Sequence, residues 1–135
     1  MTDFILDPRL AADSAFIADG PLSQVRLMDD TRYPWLVLVP RVNDVSEWLE
    51  LDGGQQRLLL AEINQAGQLI RAHPGVEKLN IGALGNIVRQ LHVHLVGRQE
   101  GDPAWPGPVW GSGTPVRHDP TALTQQVEAW RRRLD

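Results

Sequence analysis

Two of the four histidines lie two residues apart in an apolar, β-branched stretch of the chain. The pair is His92 and His94, and the alternating pattern around it predicts a strand from Val88 to Val96. Because successive side chains of a strand point to opposite faces, we predict that Gln90, His92 and His94 share one face. The two histidines would then be neighbours, about 7 Å apart at Cα. A pair of imidazoles at that spacing can bind a metal or carry out nucleophilic chemistry.

A small-residue loop precedes the histidine pair. Gly82, Gly85 and Asn86 fall in this loop, and glycine permits conformations in which several backbone N–H groups converge on one point. Such a concave set of donors binds anions. A polar strand face beside this loop therefore predicts a phosphate site.

Three interpretations of the histidine pair remain open from the residues alone. The two side chains are ordinary members of a sheet, or ligands of a metal, or a nucleophile and its hydrogen-bonding partner. A metal site needs a third or fourth donor, yet the chain has no cysteine. Of the other histidines, His73 is predicted to be a cation at the end of a helix, and His118 is predicted to lie in a late loop. Asp or Glu residues could still complete a metal site, so spacing does not choose between the last two interpretations.

The stretch QLHVHLV, from Gln90 to Val96, resembles the signature of the histidine triad family of nucleotide hydrolases and transferases. Its middle and last histidines match His92 and His94, whereas Gln90 stands in place of the first. The resemblance extends over three further stretches: LNIGALGN at 79–86, VGRQ at 96–99 followed by Trp105, and LMDDTRYPWLVLVPR at 27–41.

This resemblance implies a mechanism. His92 would attack the α-phosphorus of a nucleotide conjugate, such as a dinucleoside polyphosphate or a nucleoside phosphoramidate, to give a nucleotidyl-histidine that water hydrolyses. His94 would hydrogen-bond the phosphate or the leaving-group oxygen. The amide of Gln90 would fix the neighbouring histidines by hydrogen bonds.

The resemblance also implies the groups that hold the substrate. Asn80, Gly85 and Asn86 would bind phosphate, and the carboxylate of Asp29 would bind the ribose hydroxyls. Asn86 falls where the family often has Gln, and Ile87 where many members have Ser or Thr. Two alternatives therefore stand beside hydrolysis: a nucleotide-binding module with little catalysis, and a metal-dependent hydrolase that uses the His-x-His pair.

Composition limits the class of protein. With 135 residues, 42% of them hydrophobic, the chain predicts a single domain over residues 1–135. A net charge of −4 without basic blocks argues against nucleic-acid binding, and no apolar run has the length of a membrane helix. We expect a cytoplasmic protein. The resemblance implies a nucleotide substrate, no required cofactor, with any Mg²⁺ arriving on the substrate, and a homodimer.

Periodicity predicts an α+β fold with an antiparallel sheet of about five strands. A Gly20-Pro21 hairpin and a central strand over 35–39 come first. A long amphipathic helix over 55–72, with Asp52 as its N-cap, packs across one face of the sheet. A Gly- and Pro-rich loop over 99–118 then leads to a C-terminal helix that begins at Pro120.

Overall fold

The computed structural model describes residues 3–135, and residues 1 and 2 of the predicted domain lie outside it. The elements follow the chain as α1 (Pro8–Asp13), β1 (Ser14–Asp19), β2 (Ser23–Met28), β3 (Trp35–Pro40), a 3₁₀ turn (Trp48–Glu50), α2 (Gly53–Ala72), β4 (Lys78–Gly82), β5 (Val93–Arg98) and α3 (Pro120–Leu134). The five strands form one antiparallel sheet in the order β1-β2-β3-β5-β4. The predicted α+β fold is confirmed.

A short polar side chain stands at the start of each α-helix. Asp7 and Asp119 each accept a hydrogen bond from a backbone N–H of the first turn, with proline at the start of the helix. Asp52 and Gln55 form a reciprocal capping box at α2. None of the helices in residues 3–135 is both long enough and apolar enough to cross a membrane.

Each face of the sheet has its own apolar layer. On one face α2 and α3 pack over a cluster that includes Leu36, Leu38 and Leu95. On the other face lie Trp35, Val37 and other apolar residues, covered by the N-terminal segment and by part of the loop over 99–118. Because β5 alternates, His94 and Arg98 belong to this second face. The face opposite the long helix is therefore the one that carries the histidines.

The strand that carries the histidines is shorter at its start than the sequence predicts. We predicted a strand over 88–96, but β5 begins at Val93, and residues 83–92 form a loop. Pairing with β3 starts at Leu38 opposite Val93, and β4 ends at Gly82 opposite His94. Residues before Val93 therefore have no neighbouring strand on either side, and Leu91 donates instead to a loop carbonyl, that of Val45.

Candidate active site

His92 and His94 lie against each other, as the alternation predicts. Their ring centroids are 4.8 Å apart with the planes at 71°, and the residues are only 7% and 6% exposed. His94 belongs to β5, whereas His92 is the last loop residue before the strand begins. Two largely buried imidazoles are thus held edge to face on the sheet.

His94 is held by an indole. The Nε1–H of Trp35 donates to Nδ1 of His94 over 2.9 Å. An indole N–H can only donate, so Nδ1 must offer its lone pair, and the neutral ring carries its proton on Nε2. Burial and the neighbouring His92 lower the pKa of His94 to about 3. His94 is therefore a neutral ring that presents an N–H donor.

His92 has the opposite arrangement. Its Nδ1 lies 2.7 Å from the backbone carbonyl oxygen of Gln90. A carbonyl can only accept, so the proton of the neutral ring is on Nδ1 and the lone pair is on Nε2. The two histidines thus present complementary atoms: Nε2 of His92 can attack an electrophile, and Nε2–H of His94 can donate a hydrogen bond.

The side-chain amide of Gln90 forms its hydrogen bonds with the N-terminal segment and not with the histidines, which corrects the predicted strand face. Its Oε1 accepts from the N–H of Asp7 over 2.8 Å, and its Nε2 donates to the carbonyl of Ile5 over 2.9 Å. The reason is that residue 90 lies in the loop before β5, where its side chain turns toward the N-terminal segment. Gln90 fixes His92 through its backbone, and its amide fastens the segment that covers this face of the sheet.

The predicted phosphate ligands lie on the strand and loop next to the pair. Asn80 faces the same side of the sheet as His94, since it is paired with Val96. Its Oδ1 accepts from Arg98 over 2.9 Å, so only its amide nitrogen could donate to a phosphate. Gly85 adopts φ +69° in the loop that runs from Gly82 back to His92, and Asn86 follows it in an exposed position.

The loop over 99–118 supplies a wall of the site. Trp110 lies edge-on to His94, with ring centroids 5.7 Å apart. It also packs closely on Gly82, where an added Cβ would come 2.9 Å from the indole. The start of the loop is fixed by two 2.8 Å bonds from Arg98 to Asp102, whose side chains are 2% and 4% exposed. The loop therefore packs against the histidine pair through Trp110.

Asp29, the predicted ribose ligand, follows the end of β2 and is tied to the chain before α3. Its Oδ1 accepts from both the backbone N–H and the Nδ1 of His118, and its Oδ2 accepts from Arg117 over 3.2 Å. Burial would raise the pKa of Asp29, but these bonds outweigh it and hold the pKa below its usual value. The carboxylate stays ionised, and any ribose hydroxyl would share it with His118 and Arg117.

A family model for the HIT domain matches residues 9–101. The chain belongs to the histidine triad (HIT) family. Members of the HIT family bind nucleotides and are in general hydrolases or transferases. No curated protein gave a significant match.

Solved histidine triad structures resemble the whole chain. One from Bradyrhizobium japonicum is 44% identical, with a TM-score of 0.93 over 99% of this chain and 100% of its own. One from Sinorhizobium meliloti is 46% identical, with a TM-score of 0.89 over 97% and 94%. A third, from Marinobacter aquaeolei, is 41% identical, with a TM-score of 0.94 over 98% and 97%.

Two further basic residues of this HIT protein serve the structure. Arg41 bonds to Asp19 and to the carbonyl of Gly20, at 3.1 and 2.9 Å. His73 ends α2, as predicted, but the prediction that it is a cation is wrong. Its ring stacks on Trp130, 5.4 Å between centroids, and burial together with nearby Arg133 lowers its pKa. The bonds of Arg41 and the stacking of His73 both depend on tertiary packing, which the periodicity of the sequence does not reveal.

Sequence reasoning missed Trp35 as a polar partner in the site. It sits in a continuously apolar run, which predicted only a buried strand. The signal that was available is the indole itself, because a buried tryptophan N–H usually finds an acceptor. Within residues 3–135, no cluster of three or more His, Asp or Glu side chains is arranged to hold a metal.

Proposed function

We propose that this HIT protein cleaves a nucleotide conjugate at its α-phosphate through a nucleotidyl-histidine on His92. Dinucleoside polyphosphates and nucleoside phosphoramidates are the substrate classes. The observation that carries the proposal is the opposed tautomers of the pair, which leave a lone pair on Nε2 of His92 and a proton on Nε2 of His94. One ring is ready to attack, and the other is ready to donate.

In the first step Nε2 of His92 attacks the α-phosphorus, and the bond from phosphorus to the leaving group breaks with its electron pair. The ring becomes a substituted imidazolium whose positive charge is shared by Nδ1–H. The Gln90 carbonyl, 2.7 Å from Nδ1, stabilises that charge as it forms. Nε2–H of His94 donates to the phosphate or leaving-group oxygen, where negative charge accumulates.

In the second step water attacks the same phosphorus, the bond to Nε2 breaks, and His92 recovers its lone pair. The nucleoside monophosphate leaves, and the proton of the water passes to solvent. Asn80, Gly85 and Asn86 are proposed to donate to the phosphate oxygens in both steps, and Asp29 to hold the ribose. No required cofactor enters this scheme, and any Mg²⁺ would arrive on the substrate.

The tautomer of His94 disfavours the alternative of a His-x-His metal site. A metal binds the lone pair of a ring nitrogen, but the lone pair of neutral His94 is engaged at Nδ1 by Trp35. A metal at Nε2 would have to displace the proton from that atom. The site thus supports donation by His94 better than coordination.

We further propose that the protein forms a homodimer through β4. This strand is an edge of the sheet, so one row of its backbone groups faces no neighbouring strand. Ile81 on this strand is 51% exposed. Beside it a groove of about 420 Å³ runs between α2 and β4, lined by Ile63, Gly67 and Leu79 among others. A second copy would pair edge to edge across a two-fold axis.

The covalent intermediate is the direct test of the enzymatic proposal. The protein is mixed with an adenosine phosphoramidate, quenched in milliseconds to seconds, and analysed by intact mass and peptide mapping. We expect an adenylyl adduct on His92 that forms and decays at the rate of turnover. In His92→Ala the adduct and turnover should vanish, while AMP binding stays within about tenfold, because removing a nucleophile deletes a covalent step.

Three outcomes would contradict the proposal. Retained turnover in His92→Ala would remove the nucleophile assignment. AMP binding with no turnover of either substrate class would support a nucleotide-binding module. Cleavage lost in chelator and restored by zinc would support the metal-dependent class.

A further inference from the structure

Trp35 and His94 meet across two neighbouring strands. Trp35 is the first residue of β3 and is paired with Val96, while His94 is paired with Val37. The indole therefore reaches diagonally along one sheet face, a distance that large aromatic side chains can span. Its ring is 7% exposed and lies 5.6 Å from the His94 ring at 61°. The contact is set by strand register and not by a flexible loop.

The His94 ring is enclosed on its other sides. Trp110 packs on it from the loop, His92 lies 4.8 Å away, and Gly82 is opposite it on β4. Of these groups, His92 is the titratable one. Rotation of the His94 ring by half a turn would set its C–H against the indole N–H and leave a buried donor without an acceptor, which costs about 1–3 kcal/mol.

We propose that Trp35 is a positioning residue that fixes His94 in its Nε2–H tautomer, so that His94 presents a constant N–H donor to the α-phosphate. The catalytic consequence rests on the proposed function, but the tautomer does not. An indole N–H neither titrates nor accepts, unlike the hydroxyl of tyrosine or the ring of histidine. Of these groups only the indole imposes one tautomer at every working pH.

The test removes one N–H and nothing else. Replacing Trp35 by 3-benzothienylalanine, in which sulfur takes the place of the indole N–H, keeps the ring and its packing. Long-range ¹H–¹⁵N correlation spectra of ¹⁵N-histidine-labelled protein report which nitrogen of His94 carries the proton. We expect Nε2–H alone in the parent protein and a mixture in the variant. The titration midpoint of His94 should rise by about 0.7 unit, since a lost hydrogen bond of about 1 kcal/mol converts to that shift.

Replacement of Trp110 by 3-benzothienylalanine is the matched control. Among the described residues, the indole Nε1 of Trp110 is buried without a hydrogen-bond partner, although the ring touches the same histidine. Removing this N–H should leave the tautomer of His94 unchanged. If the two variants shift the tautomer equally, packing and not the Trp35 hydrogen bond sets it, and the proposal is wrong.

Kinetics then test the catalytic consequence. In the 3-benzothienylalanine variant kcat should fall on the order of a hundredfold, because a misplaced donor no longer meets the transition state, while KM changes much less. Trp35→Phe should behave in the same way but with an added loss of stability.

An unchanged tautomer in the 3-benzothienylalanine variant would overturn the proposal whether or not the protein turns over substrate. A changed tautomer with unchanged kcat would overturn the positioning role alone. If the parent protein shows the Nε2–H tautomer but no turnover, the proposed function fails and the tautomer assignment stands.

Discussion

Acid should destabilise this protein in a pH range where carboxylates do not yet titrate. His94 has an ordinary pKa of about 6.5 in the unfolded chain and a pKa of about 3 in the fold, where it is 6% exposed. Between these values the unfolded chain binds a proton that the folded chain does not, so stability falls as the pH falls. The stabilisation is complete above pH 6.5 and is lost progressively toward pH 3.

The magnitude follows from the width of the interval. At pH 5 the pH is one and a half units below the pKa of His94 in the unfolded chain. Each unit costs about 1.4 kcal/mol, so His94 alone should lower the free energy of unfolding by about 2 kcal/mol between pH 7 and pH 5. His73 adds a change of the same sign, because its pKa is also lowered. The carboxylates of Asp29 and Asp102 have lowered pKa values and begin to contribute only at more acidic pH.

Urea unfolding at half-unit steps between pH 7 and pH 5 measures this slope. The test variant is His94→Gln, which removes the titrating ring of His94. His73→Gln is the matched control, because it keeps the His94 ring. Absolute stabilities will differ between variants, so the slope is the quantity compared. We expect His94→Gln to lose about 2 kcal/mol of the pH dependence and His73→Gln to keep that part. A parent-like slope in His94→Gln would refute the reasoning, since the ring would then titrate equally in both states.

Three further predictions concern the substrate, the N-terminal segment and the dimer. Asp29→Asn should weaken the binding of ribonucleotides, measured by calorimetry, more than that of 2′-deoxy analogues, because only ribonucleotides offer both hydroxyls. Equal weakening would mean that Asp29 does not bind ribose and serves only to hold the chain before α3. Gln90→Leu should lower the free energy of unfolding by about 1–3 kcal/mol, because it removes two hydrogen bonds that hold the N-terminal segment. A parent-like thermal melt would show that these bonds contribute nothing. Ile81→Lys on the β4 edge should give monomers in sedimentation, whereas Leu49→Lys, on a side chain that is 84% exposed, should not; a dimer that survives Ile81→Lys would place the interface elsewhere.

Periodicity and capping were sufficient to predict the long helix, the C-terminal helix and an antiparallel sheet of about five strands. The caps at Asp52 and Asp119 are local signals, because their partners Gln55 and Ala122 lie within one turn of them. The start of β5 was predicted too early, because alternation continues through residues 88–92 although no strand is available there to pair with. The length of a strand depends on its neighbours, and those are distant in sequence.

The candidate site shows the same division between local and distant information. That His92 and His94 are adjacent follows from spacing of two residues. The bond that decides the tautomer of His94 joins it to Trp35, 59 residues away. The bonds that hold the N-terminal segment over this face join it to Gln90, more than 80 residues away. Family resemblance transfers roles for matched residues, but it said nothing about partners supplied by side chains outside the motif.

The hydrogen-bond partners also explain why glutamine is compatible with the first position of the triad. The group that fixes the tautomer of His92 is the carbonyl of residue 90, which every amino acid provides. The group that fixes His94 is the indole of Trp35. Neither partner titrates, so the nucleophile and the donor keep their assigned protons without any contribution from the side chain of Gln90. That side chain is consequently available to fasten the N-terminal segment over the face on which the histidines lie.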